Sequence, residues 1–276
     1  MRRPPAALSE NMNTTTAKTH FPQGMALVVG GSGGLGAAIV RGFAEAGSDV
    51  LFTYRGGEER AKSLCAELAP LPVQVEARQL NLEAAGELDA LLNGLSSSAQ
   101  KIHSFVYAAG PRIGVGFVGK LTRKDWQFAF QHDAEACFSF VQGALGYLQA
   151  NPVAPDYAGS ILALSSSQKF RPESRGVLSA APKAAVEALI FATAKEYARF
   201  NIRANIVQSG WIDAGQIVDG MKGQLSDEAL NSVVAQIPLR RLGEANEVAE
   251  AVVFLSSKKA SFITGASLVV DGGMHL

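Results

Sequence analysis

The run Gly30-Gly31-Ser32-Gly33-Gly34-Leu35-Gly36 stands between a short apolar run and an amphipathic stretch, where a strand would turn into a helix. Bare backbone N–H groups at a positive helix end can receive a pyrophosphate there, and a Cβ would block the approach. A tight turn uses glycine too, but the place between strand and helix favours the phosphate. Residues 30–34 also fit, by letter, the Gly-x-Ser-x-Gly elbow of a serine hydrolase; following the first strand, they suit phosphate binding better. His20, His103, His132 and His275 share no metal-ligand spacing and have no cysteine pair beside them, so no metal is expected.

The elements that must position these groups follow from the apolar pattern. Apolar runs at residues 26–29, 50–54, 73–77, 102–107, 160–164, 202–207 and 267–270 are separated by lengths that hold crossover helices, the first over 35–46. Strands apolar on both faces and joined by helices make a parallel sheet, and right-handed crossovers then fix the topology. The expected fold is a single doubly wound, Rossmann-type α/β domain of about seven parallel strands with helices on both faces. At 276 residues and 29.0 kDa, one domain suffices. Apolar residues at 47% and charged ones at 18% exclude a disordered chain. Lys plus Arg (25) equals Asp plus Glu (25), so no net field draws nucleic acid or an anionic membrane, and the expected partner is a small-molecule substrate. Two cysteines, Cys65 and Cys137, lie in apolar segments and are too few for a disulfide framework. Residues 1–22, rich in Pro, Thr, Asn and Ala, read as a loose tail with no apolar core of a signal peptide, and no continuous apolar run has membrane-spanning length. A cytoplasmic protein is expected.

The glycine run carries a resemblance. Gly30, Gly34 and Gly36 meet the Gly-x-x-x-Gly-x-Gly pattern of the short-chain dehydrogenases/reductases. The likeness extends from about Met25 to the C-terminus through Tyr107-Ala108-Ala109-Gly110, Asp125-Trp126, Ile202-Arg203-Ala204-Asn205, Thr264-Gly265 and Val270-Asp271-Gly272-Gly273. The resemblance implies a nicotinamide dinucleotide held by Gly30, Ser32, Gly34, Leu35 and Gly36 at the pyrophosphate, by Asn81 and Leu82 at the adenine, by Ala109 and Gly110 beneath it, and by Lys183 and Ile212 at the nicotinamide end. The family's leading Asn of Asn-Ala-Gly is Ala108 here, its adenine-contacting Asp is Asn81, and its Pro and Thr around Gly210 are Ser209 and Ala214. NAD-preferring members carry an acid at the end of the second strand; this chain has Arg55, whose guanidinium can pair with a 2′-phosphate, so NADP(H) is expected, with Glu58 or Glu59 near enough to neutralise it.

The family's catalytic set is Asn, Ser, Tyr and Lys. Lys183 and Ser166 match, but the Tyr position is Ser179 and the Asn position is Asp133. A phenol of pKa ~10 becomes a usable acid when a lysine ammonium lowers it, and a serine hydroxyl is far weaker. Ketone reduction by Tyr is thereby put in doubt. Hydride addition to the β-carbon of an unsaturated thioester needs only donors at the enolate oxygen, which Ser166, Ser179 and Lys183 supply, with Asp133 as a relay partner of Lys183. This is similar to the 2,4-dienoyl-CoA reductase branch, where mitochondrial-type members have Ser for Tyr and peroxisomal-type members have Asp for Asn; a Tyr used by the former is Gln168 here. A carbonyl reductase, a catalytically silent NADP(H)-binding protein and a non-redox isomerase or dehydratase remain as alternatives.

Residues 23–276 would form the dinucleotide-binding domain, with 211–238 as a substrate lid bearing Met221, Leu225, Leu230, Val233, Val234 and Ile237 at helical spacing. Arg112, Lys169, Arg171 and Arg175 follow strand ends, where a phosphate-bearing substrate could meet them, although scattered surface charge accounts for them better. The resemblance implies a homotetramer, to which Phe138, Phe140, Val141, Leu189, Ile190 and Phe191 would lend apolar surface.

Overall fold

The computed structural model describes residues 20–84, 86–169, 173–215 and 226–276. Seven parallel strands, β1 Met25–Val29, β2 Asp49–Tyr54, β3 Val75–Gln79, β4 Ile102–Tyr107, β5 Gly159–Ser166, β6 Ile202–Ser209 and β7 Ser267–Val270, form one sheet in the order β3-β2-β1-β4-β5-β6-β7. The order reverses between β1 and β4, and ligands of such sheets bind beyond the carboxyl ends of the strands at that reversal. Strand side chains alternate between two cores. Met25, Leu27 and Val29 pack beneath α3 (Glu87–Ser97), α5 (Ala136–Ala150) and α6 (Val177–Tyr197). Ala26 and Val28 pack on the other face with α1 (Gly34–Glu45), α2 (Glu58–Leu68) and α8 (Ala245–Ser256). The doubly wound Rossmann-type fold expected from the apolar pattern is the one observed.

The pattern misplaced one strand. β3 begins two residues later than the apolar run at 73–77 because it is an edge strand, whose Glu76 and Arg78 pair at 2.7 Å on the surface and leave little apolar signal. Residues 20–22 also depart from a loose tail ending at 22. Phe21 is 3% exposed, stacks on His103 with ring centroids 4.9 Å apart, and meets Phe43 at 5.3 Å. Of the residues expected on an assembly surface, Phe140, Val141 and Ile190 are buried in the protomer's own core, because α5 and α6 pack directly on the sheet; Phe138 and Phe191 are exposed. The segment Val177–Phe200 is long and apolar enough to cross a membrane by length and composition. It packs instead against β5 and β6.

A further helix, α4 (Arg123–Phe130), is opened by a capping box in which Thr122 Oγ1 accepts from the Asp125 N–H at 3.2 Å and Asp125 Oδ2 accepts from the Thr122 N–H at 2.9 Å. It runs into α5 through a π turn, Gln131–Glu135. A π turn admits one extra residue into a helix and is found disproportionately at functional sites. Here it carries Asp133.

His103, the second residue of β4, is fully buried between Ser48 and Ser104, each 2.9 Å away, and burial lowers its imidazole from 6.5 to about 3. The unfolded chain therefore takes up a proton below pH 6.5 that the folded chain refuses until about 3, so this stability is fully present above 6.5 and is lost as pH falls. Between pH 6.5 and 5.5 the protein is expected to lose ~1 kcal/mol more than a His103→Gln variant. Urea unfolding of both proteins at the two pH values reads this directly; parallel losses would show that His103 is not the titrating group.

Candidate active site

Beyond the carboxyl ends of the strands lies a cleft of about 2200 Å³. Sites for single small molecules span roughly 300–1,000 Å³, so this one has room for a dinucleotide and a substrate together. Gly30, Ser32, Gly34, Leu35, Gly36, Arg55, Asn81, Leu82, Ala109, Gly110, Lys183 and Ile212 all border it.

The start of α1 explains the glycine run. Gly30 adopts φ +83°, a left-handed turn that brings the chain from β1 into the helix, and a Cβ on Gly36 would stand 2.1 Å from the Gly30 carbonyl oxygen. The helix N-cap, Gly33, offers no side-chain acceptor, and the first turn holds no acidic residue. By contrast, α2, α3, α4, α7 (Asp227–Gln236) and α8 each carry an acid in the first turn. The positive end of α1 faces the cleft without an internal counter-charge, an arrangement that fits an external pyrophosphate.

At the other end of this groove Arg55 pairs with Glu83 rather than with Glu58 or Glu59, and the same Glu83 oxygen lies 3.1 Å from His132 Nε2. His132 stacks on Phe128 at 3.9 Å and is the residue before Asp133 in the π turn. Asn81 Oδ1 accepts from the Glu83 N–H at 3.1 Å, so its side chain shapes the turn that presents Glu83.

Lys183 anchors the catalytic end. Its Nζ donates to Asp133 Oδ1 at 2.9 Å and to the Leu164 carbonyl at 3.1 Å, near the end of β5. Asp133 is 5% exposed and stands behind Lys183 rather than on the cleft wall, so it acts through the lysine. Ser166 and Ser179 both line the cleft, and Ser166 Oγ accepts from the Gln168 N–H at 3.3 Å. Tyr107 does not replace the missing tyrosine: its hydroxyl donates to the Asp133 carbonyl at 3.2 Å, and burial pushes it well above its ordinary value.

Several groups had no sequence signal. Glu187, 2% exposed on α6, accepts from Ser165 Oγ and from Gln208 Nε2 at 2.8 Å, tying β5 to β6 directly beneath the site. Glu173 accepts from Trp211 Nε1 and, at 3.2 Å, from Gln168 Nε2. Burial raises its carboxyl above the ordinary glutamate value, against the opposing pull of the Trp211 N–H. Asp271 Oδ2 lies 3.0 Å from His275 Nδ1 beside the same cleft. Only the three-dimensional packing makes these carboxylates informative. Arg112 and Arg175 also border the cleft, whereas Arg171 and the side chain of Lys169 lie outside the described residues, as do Met221 and Leu225 of the expected lid. Val233 of α7 borders the cleft and Ile237 is buried.

The model of a family described as enoyl-(acyl carrier protein) reductase matches residues 30–275. The 3-oxoacyl-[acyl-carrier-protein] reductase FabG of Staphylococcus aureus is 30% identical over 91% of this chain and 98% of its own length. A double mutant of a Serratia marcescens short-chain dehydrogenase/reductase superposes with a TM-score of 0.81 at 26% identity, covering 93% of this chain and 99% of that one. A short-chain type dehydrogenase/reductase from Mycobacterium ulcerans shares the fold, with a TM-score of 0.84 at 22% identity over 92% of this chain and 90% of its own.

Removing Asp133 would leave the Lys183 ammonium desolvated without its counter-charge. Asp133→Ala is expected to cost ~3 kcal/mol, and Asp133→Ala/Lys183→Met to recover most of that loss. Denaturant midpoints of the two variants check this; equal destabilisation would mean that the pair is held for packing rather than charge.

Proposed function

The chain belongs to the short-chain dehydrogenase/reductase family, and from that premise we propose that it is an NADP(H)-dependent oxidoreductase acting on an activated C=C bond of an enoyl or dienoyl thioester or a similar conjugated carbonyl. The observation that carries this reading is that, among the described residues, no tyrosine hydroxyl stands beside Lys183; the place four residues earlier on α6 is taken by Ser179. Of five tyrosines, the one whose ring lies near its Nζ, at 5.9 Å, is Tyr107, with its hydroxyl bound to the π turn. Without a phenol at Ser179, reduction that develops charge on a thioester oxygen is easier to support than direct protonation of an alkoxide.

Bound NADPH supplies the hydride. Ser166 and Ser179 donate hydrogen bonds to the substrate oxygen as charge develops there. Lys183, held by Asp133 and the Leu164 carbonyl, keeps the nicotinamide ribose in place. Arg55 supports NADP(H) over NAD(H): it reaches the ribose end of the groove and exchanges Glu83 for a 2′-phosphate. The family description and the FabG relative both favour an acyl thioester. The relative also favours a second reading, carbonyl reduction of a 3-oxoacyl thioester, in which hydride is delivered to the same carbon. Of the expected lid 211–238, the described residues 211–215, Val233 and Gln236 border this pocket and suit that role. Exposed Phe138 on α5 and Phe191 on α6 suit the faces of a homotetramer.

NADPH oxidation is expected with enoyl or dienoyl thioesters and to fall ~100-fold or more in Lys183→Ala. Turnover of 3-oxoacyl thioesters alone would select the second reading, product formation without NADPH loss an isomerase, and NADPH binding without any turnover a silent binding protein. Arg55→Ala is expected to weaken NADPH by ~10- to 100-fold while sparing NADH, the loss of about two charge-assisted hydrogen bonds. A titration showing equal losses for the two cofactors would refute the NADP(H) preference.

A further inference from the structure

The substrate side of the cleft holds one carboxyl group that no step above employs. Glu173 precedes α6, and its side chain is fixed at both oxygens, by Trp211 Nε1 and by Gln168 Nε2. Each link leads to a substrate-facing group. Gln168 donates its own N–H to Ser166 Oγ at 3.3 Å. The Glu173 carbonyl accepts from the Gly176 N–H at 3.1 Å, and the Gly176 carbonyl accepts from the Ser179 N–H at 3.0 Å. Trp211 sits directly before Ile212, at the nicotinamide end. Glu173 is thus one hydrogen-bonded residue away from each of the two serines, and it borders the cleft with them.

Its surroundings are those of an acid rather than of a salt-bridge partner. The two side-chain groups bound to it are neutral, and Arg175 of its own loop turns to the Phe117 ring, 5.5 Å from the centroid. The Lys183 ammonium of the same cleft is paired with Asp133 at 2.9 Å. Among the described residues burial therefore acts on Glu173 without a paired cation, and it favours the protonated form.

We propose that Glu173 is the proton donor of this site, a catalytic residue that fills the acid role left open by Ser179. The proposal rests on the reductase reading. Hydride from NADPH forms the new C–H bond at C3, leaving NADP⁺, and the electron pair of the C2=C3 bond moves toward the thioester oxygen. The Glu173 O–H bond then breaks, its proton forms the C–H bond at C2, and the carboxylate is reprotonated by water. One NADPH and one proton are consumed per double bond.

Glu173→Gln keeps an acceptor for Trp211 and the size of the side chain, and a flip of the Gln168 amide turns its unpartnered Oε1 to the new NH2, so the variant preserves a packing role and removes the acidic proton. In this variant kcat is expected to fall ~100-fold or more, with NADPH affinity and substrate KM nearly unchanged. In Glu173→Ala, added acetate or formate restores part of kcat in proportion to its concentration. In the cofactor-free protein, the infrared carboxylic-acid band that differs between wild type and Glu173→Gln titrates above the ordinary glutamate range. Full kcat in the Gln variant, a change confined to KM, absence of rescue by small acids, or titration in the ordinary range would each overturn the assignment. A wild-type protein that binds NADPH but reduces no thioester would overturn the reductase reading, and this role with it; that failure differs from an active wild type matched by an active Glu173→Gln.

Discussion

A buried ammonium needs a counter-charge, because taking an ion out of water costs several kcal/mol unless the interior replaces its solvation. Lys183 meets that demand with Asp133 at 2.9 Å and the Leu164 carbonyl at 3.1 Å, and in doing so it fastens three elements together: the π turn, the end of β5 and the second turn of α6. The π turn is what brings Asp133 inward. Its neighbour His132 points the other way, toward Glu83 at the adenosine end of the cleft. A single irregular turn therefore contributes to both ends of the site, and its backbone is held in turn by the Tyr107 hydroxyl.

A second carboxylate, on the helix that carries Lys183, does comparable work deeper in the sheet. Glu187 is one turn beyond Lys183, and it gathers Ser165 from β5 and Gln208 from β6 onto one oxygen. Those two residues immediately precede Ser166 and Ser209, where the strands end and the cleft begins. The strand ends are thus set by a buried polar cluster rather than by loop geometry. Below it the Arg203 guanidinium, 6% exposed, donates to the carbonyls of Leu255 and Ile263, so α8 and the loop before β7 are tied to β6 by directed bonds as well as by apolar packing.

What the sequence reveals depends on how local the determining physics is. Strands buried on both faces announce themselves as apolar runs, and the glycine run announces a tight turn from strand to helix, so the sheet and the entry to α1 were legible. β3, half exposed at the sheet edge, was legible only to within two residues. Phe21 lies in a polar, proline-bearing stretch, and nothing local shows that a buried histidine waits to stack on it. Asp133 and Lys183 could be singled out from their positions, yet their contact depends on a π turn that residues 131–135 do not announce. Glu173 resembles any surface acid until Trp211, 38 residues away, is folded against it.

The Lys183 pair also bears on why the acid of this site lies elsewhere. A lysine cation lowers a neighbouring phenol only while its field is uncompensated; a unit charge at 4 Å is worth ~4 kcal/mol at an effective dielectric of about 20. Asp133 cancels most of that field at its source. A tyrosine placed at 179 would gain little acidity from such a lysine, so the aspartate and the serine form a consistent pair of departures rather than two independent losses. Burial tunes an acid from the opposite direction: it raises a carboxyl toward neutrality where a cation would lower a phenol toward it, and a proton donor works best when its pKa lies near the working pH. Among the described residues Glu173 meets only neutral donors opposing its burial, so in the proposed role it would present a proton to the substrate while Lys183 stays neutralised by Asp133.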